Sequence, residues 1–250
     1  MGVLRGIPTL IAKLANYTRL LGVMLCLMLS FTAKSDLNNI QFQHLTIEDG
    51  LSQSSVLDIV QDKYGFIWAA TQHGLNRFDG YEFVQYYADD KSGLPGNYIL
   101  TIHVDQNHKL WAGTNKGLAY FDYQSDRFIE INFPQNHSDN IWKIFGLNKD
   151  YIIVSTSEKL YRLQTKNYTF QEITLDNGHS IPYVESLTTM QDGKLLISSH
   201  FEGLSIYSKN SNSIIGKINA APDLVIYDRS EIFSTTIYAT NKGLIENLDP

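Results

Sequence analysis

A stretch of eighteen residues recurs in this chain at an offset of 43. Residues 62–79 and 105–122 share eight identical positions, which include Trp68 and Trp111, Thr71 and Thr114, Gly74 and Gly117, and Leu75 and Leu118. Weaker copies follow at 153–160, with Lys159 in place of the glycine, at 197–204, with Ile197 at the tryptophan position and His200 at the threonine position, and at 237–244. The landmark leucines fall at 75, 118, 160, 204 and 244. A period near 40 residues demands a supersecondary unit that buries its apolar face only against its neighbours, which means stacked or radial units.

Each unit divides into four short apolar runs separated by turn residues. In the first they are 56–61, 66–71, 75–78 and 82–86, with Asp79-Gly80 between the last two. Connections this short give hairpins, so the unit reads as a four-stranded antiparallel meander. Aromatic residues make up 12% of the chain, which agrees with strands. The fold class is therefore all-β. Four strands per period is the blade of a β-propeller, and about five blades are expected, approximately at 56–98, 99–140, 141–183, 184–223 and 224–250, the last one partial. A β-sandwich also has regularly spaced short strands, but it has no reason to repeat Trp and Gly-Leu landmarks. Trp68 and Trp111 are expected between neighbouring sheets, and Gly74, Gly117, Gly203 and Gly243 at turns that a side chain would obstruct.

Residues 1–35 contain Arg5, Lys13, Arg19 and Lys34, no acid, and the apolar run 20–33. This is the pattern of a secretory signal, and its apolar core is shorter than the ~20 residues that cross a bilayer as a helix. Cleavage is expected after Ala33 or Ser35, with a retained signal anchor as the alternative. Either way the remainder is expected outside the cytoplasm. Without that segment 16 basic residues face 26 acidic ones, a formal charge of −10. Nucleic acid and anionic membrane surfaces are poor partners for such a chain. The single cysteine, Cys26, lies in the signal, which excludes a disulfide scaffold.

The run of Asp, Gly, Trp, Thr and Gly-Leu resembles the two-component regulator propeller repeat, found in periplasmic sensor regions of hybrid histidine kinases and of some diguanylate cyclases. The opening segment 42–56, from Phe42 to Val56 through Gly50-Leu51, resembles the start of those sensors. The resemblance implies a seven-bladed ring, followed by a β-sandwich domain, a membrane helix and an output domain in a dimeric, membrane-anchored parent. Seven blades need about 300 residues, more than this chain offers. It is therefore expected to be an N-terminal fragment of an incomplete ring, the alternative being a small five-unit ring in which 42–47 serves as a latch strand.

No phosphate loop, His-Glu-x-x-His helix, EF-hand loop or nucleophile elbow occurs. No catalytic residue, metal site or cofactor is expected. Seven histidines are scattered over different units, and Asp89-Asp90 reads as a solvated turn. The sequons at Asn136 and Asn167 are discounted, because the resemblance is to bacterial proteins. In a propeller, ligands meet one mouth of the channel, where connections between blades and the turns between second and third strands converge. Gln72, His73, Asn97, Tyr98, Asn115, Lys116, Phe201 and Glu202 are the candidate contacts, with Gln53 and Ser54 beside them. Tyr98 and Phe201 stand out, since exposed rings stack on a sugar. The expected function is noncatalytic sensing of a small molecule, a glycan or a periplasmic protein. The alternatives are a secreted scaffold and a propeller lyase that would need His73 among carboxylates.

Overall fold

The computed structural model describes residues 43–89, 91–133, 140–190, 192–218, 226–232 and 235–246. The chain divides into two units, Met1–His44 and Leu45–Pro250. The export segment with Cys26, and Phe42, Asp90 and Asn136, lie outside the described residues.

Within the second unit, consecutive hairpins build four-stranded antiparallel sheets. The first sheet holds β1 (Val56–Gln61), β2 (Ile67–Thr71), β3 (Gly74–Phe78) and β4 (Phe83–Tyr86), and the second β5 (Ile99–Val104), β6 (Leu110–Thr114), β7 (Gly117–Asp122) and β8 (Arg127–Ile131). The third holds β9 (Ile141–Gly146), β10 (Tyr151–Thr156), β11 (Leu160–Gln164) and β12 (Phe170–Ile173). The fourth holds β13 (Val184–Thr189), β14 (Leu195–Ser199), β15 (Gly203–Ser208) and β16 (Ser213–Ile218). A fifth shows three strands among the described residues, β17 (Ile226–Ile232), β18 (Thr235–Thr240) and β19 (Gly243–Glu246). The first strands neighbour one another in chain order, β1 beside β5, β5 beside β9, β9 beside β13 and β13 beside β17. Meander sheets with their first strands innermost are the blades of a β-propeller, as the repeat demands.

The core lies between the blades. One apolar cluster joins Trp68, Leu75 and Tyr86 of the first to Ile102, Leu110, Phe121 and Phe128 of the second. The next joins Trp111 and Leu118 to Ile141, Ile144 and Ile152. A third joins Ile153 and Leu160 to Leu195, Ile197 and Tyr207, and a fourth Leu196 and Leu204 to Ile226 and Tyr238. Trp68 and Trp111 are wholly buried, and the Trp68 ring meets Phe121 edge-on at 4.8 Å. Burying a ring of that size is worth on the order of 5 kcal/mol in transfer free energy.

Polar landmarks of the repeat hold the hairpins. Asp62 Oδ1 accepts from the amides of Tyr64 and Phe66 and closes the β1–β2 turn, while its Oδ2 accepts from Trp68 Nε1 at 2.8 Å. Asp105 repeats this with Asn107, Lys109 and Trp111. Thr71 Oγ1 donates to the Gly74 carbonyl and accepts from the His73 amide, which ties the β2–β3 turn. Thr114 and Thr156 do the same in the next two blades. Gly74 has φ of +104°, and a Cβ there would come within 2.9 Å of the Tyr87 ring, so both torsion and space require glycine.

Two expectations are corrected. Ser199, not His200, stands at the threonine position of the fourth blade: it pairs with Gly203 as Thr71 pairs with Gly74, and its Oγ accepts from the Glu202 amide. Three residues, rather than two, separate it from the glycine, so Leu196 replaces Ile197 at the tryptophan position. In the latch segment, residues 43–46 carry no strand and Ile47–Asp49 form a 3-10 turn. The reason is local: Thr46 Oγ1 accepts from the Glu48 amide, and the Asp49 carboxylate accepts from the Thr46 amide.

Candidate functional site

The turns between second and third strands meet the connections between blades. The Gly74 amide donates to the Asn97 carbonyl at 2.7 Å, and the Asn115 amide to the Tyr98 carbonyl at 3.0 Å. Asn97 Oδ1 accepts from the Ala88 amide, which fixes the connection from the other side. Gln72, His73, Asn97, Tyr98, Asn115 and Lys116 are thereby brought to one end of the first two blades. Gln53, just before β1, accepts from the Ser55 amide, and Ser54 beside it is exposed. His73 packs its ring against Tyr87 at 5.4 Å, and among the described residues no carboxylate stands within ion-pair distance of it.

The fourth blade repeats the contact, with the His200 amide donating to the Tyr183 carbonyl at 3.0 Å. Phe201 and Glu202 therefore occupy the corresponding turn two blades away. No hydrogen bond, ion pair or ring contact joins them to the Tyr98 group among the described residues. The additional residue in this turn lifts Phe201 into solvent at 67% exposure. Its ring meets Tyr183 at 5.4 Å and His200 at 4.9 Å, both edge-on, and Glu202 pairs with Lys217 at 3.0 Å.

Sequence reasoning missed three members of this cluster, Tyr183, His200 and Glu185. A signal for Tyr183 was present: it immediately precedes β13 as Tyr98 immediately precedes β5. Glu185 owes its position to a β-bulge. Every first strand has one at its second residue: Val56 and Asp58 oppose Thr71 and Ala70, which leaves Leu57 extra, and the same holds for Leu100, Trp142, Glu185 and Tyr227. A bulge re-aims the extra side chain. Trp142 Nε1 donates to Ser157 Oγ in the turn of its own blade at 3.1 Å, and Glu185 Oε1 lies 3.7 Å from His200 Nδ1 at the matching place. Leu57, Leu100 and Trp142 are apolar or aromatic, whereas the fourth blade puts a carboxylate there.

Between β9 and β13 a cavity of about 130 Å³ is lined by Lys143, Ile144, Phe145, Glu185, Ser186, Leu187 and Thr188. On the neighbouring strand β5, burial pushes the His103 imidazole pKa below its ordinary value, against the opposing pull of Asp105 and Asp58. Gly146 makes room for that ring, since a Cβ there would come within 2.7 Å of His103 Nε2. Among the described residues no group of three or more His, Cys, Asp or Glu side chains is arranged to hold a metal ion.

The family model of the two component regulator propeller matches residues 50–73 and 93–116, which begin at Gly50-Leu51 and Gly93-Leu94 and end in the β2–β3 and β6–β7 turns. These two segments are similar to two-component regulator propeller repeats. A histidine kinase of Formosa agariphila, Histidine kinase P4, is 48% identical over 71 residues, which cover 27% of this chain and 5% of that kinase. The crystal structure of the extracellular domain of a hybrid two-component system from B. thetaiotaomicron superposes with a TM-score of 0.66 and 27% identity, over 82% of this chain and 30% of that one. Virginiamycin B lyase from Staphylococcus aureus shares the propeller fold, with a TM-score of 0.58 and 13% identity over 78% of this chain and 70% of the lyase. The chain thus spans less than a third of the length of the hybrid system's extracellular domain and a twentieth of the kinase.

Proposed function

We propose that the chain is the noncatalytic ligand-sensing propeller of an extracytoplasmic receptor, with its output in a histidine kinase or a diguanylate cyclase domain. The observation that carries this is the likeness to the extracellular domain of a hybrid two-component system, over 82% of the chain. The basic, acid-free N-terminal segment with its 14-residue apolar run supports export. Loops from successive blades, carried on a rigid stack of sheets, supply a surface on which a ligand is read. Fusing alkaline phosphatase after Pro250 of the full chain tests the placement. Enzyme activity in intact cells is expected, and its loss on deletion of residues 1–35 should follow. Activity confined to the cytoplasm, measured in lysates, overturns the reading.

One observation favours a second reading, a scaffold that binds a protein. Val56, Leu57 and Ile59 of β1 are exposed, Ile59 to 62%. Exposed apolar side chains close together on one strand suit a macromolecular partner.

A further inference from the structure

We propose that the cavity between β9 and β13 is a binding site for a small zwitterion of the α-amino acid kind. This rests on the sensing function and names the site and the ligand class. Lys143 from the third blade and Glu185 from the fourth line the same cavity, a lysine on one wall and a glutamate on the other. Lys143 makes no ion pair among the described residues, and the nearest basic group to the Glu185 carboxylate is His200 at 3.7 Å. Opposite charges that share a cavity without neutralising one another are matched by a ligand that carries both. Its carboxylate would face Lys143 and its ammonium Glu185, each through a charge-assisted hydrogen bond.

Three further features fit that ligand. Thr188 lines the cavity, and its buried hydroxyl has no hydrogen-bond partner among the described residues. His200 stands beside Glu185, and its ring packs edge-on against Phe201, which meets Tyr183 in the same way. The volume of about 130 Å³ suits a small amino acid. The site is also particular to this pair of blades, because the bulge position that holds Glu185 holds leucine or tryptophan in the first three.

Isothermal titration of the full chain with L-alanine, propionate and alaninol tests the assignment, since the last two lack the ammonium and the carboxylate respectively. Saturable binding of L-alanine is expected, weaker by about tenfold or more for each truncated analogue. Glu185→Gln and Lys143→Met should each weaken L-alanine by a similar factor while the thermal melt of the free protein stays in place. Equal binding of the three compounds, or no saturable heat with any, overturns the proposal. A thermal-shift screen with neutral monosaccharides separates this failure from that of the wider function. A stabilising sugar whose effect survives Glu185→Gln removes the zwitterion site and leaves the sensing role standing.

Discussion

The carboxylate of Asp62 accepts the indole hydrogen of Trp68 at 2.8 Å, and one carboxylate thereby joins a turn to an inter-blade core. Its other oxygen holds the amides of Tyr64 and Phe66, while the Tyr123 hydroxyl of the second blade donates, at 2.9 Å, to the same oxygen as the indole. Asp62→Ala leaves four donors without their acceptor in a buried place, so a loss of about 2–4 kcal/mol is expected. Trp68→Phe keeps most of the ring and should cost less. Urea unfolding of both variants checks the order, and a larger loss for Trp68→Phe would contradict it.

Thr114 acts on a single turn. Thr114→Val keeps the shape and removes the hydroxyl that bonds the Gly117 carbonyl and the Lys116 amide. A cost of about 1–2 kcal/mol is expected, with hydrogen exchange rising first in the β6–β7 turn.

Arg77 is held in place by aromatic rings and by a carboxylate of the next blade. Its guanidinium lies 5.0 Å from the Phe66 ring, 5.6 Å from Tyr86 and 5.9 Å from Phe121, and pairs with Asp126 at 2.7 Å. A lysine cannot stack its planar group over these rings, so Arg77→Lys should destabilise by about 1 kcal/mol although the charge is kept. Thermal melts of the two proteins measure it.

His103 gives the fold a pH dependence. Burial depresses its pKa in the folded state, so its neutral form is favoured there over the charged one. Stability from this residue is complete above the unfolded value of about 6.5 and declines as pH falls from that value toward the folded one. His103→Gln should remove this portion of the acid sensitivity. Paired melts between neutral and mildly acidic pH detect the difference in slope.

The blades were legible because Trp, Thr, Gly and Leu do the same physical task in each unit and so recur at one period. Thr71, Thr114 and Thr156 are visible in the sequence for that reason. The fourth blade was misread because an extra turn residue shifts the register by one, and Ser199 ties its turn with the same kind of hydroxyl as threonine. The candidate site was less legible. Phe201 is visible as an aromatic in a turn, but Glu185 is placed by a bulge, and a bulge leaves no mark in a sequence whose first strands all contain one. The juxtaposition of Lys143 and Glu185 depends on two blades 42 residues apart packing side by side, which no local pattern encodes.

Ligand binding at the loop end of the blades is the centre of the account, and a thermal-shift measurement on the full chain tests it most directly. The protein is screened against small metabolites, including amino acids and sugars, with Tyr98→Ala and Phe201→Ala beside it. At least one compound should raise Tm saturably, as a ligand selective for the folded state must, and one of the two substitutions should abolish the rise without moving the Tm of the free protein. A screen in which no compound raises Tm, or in which the rise survives both substitutions, would contradict the account.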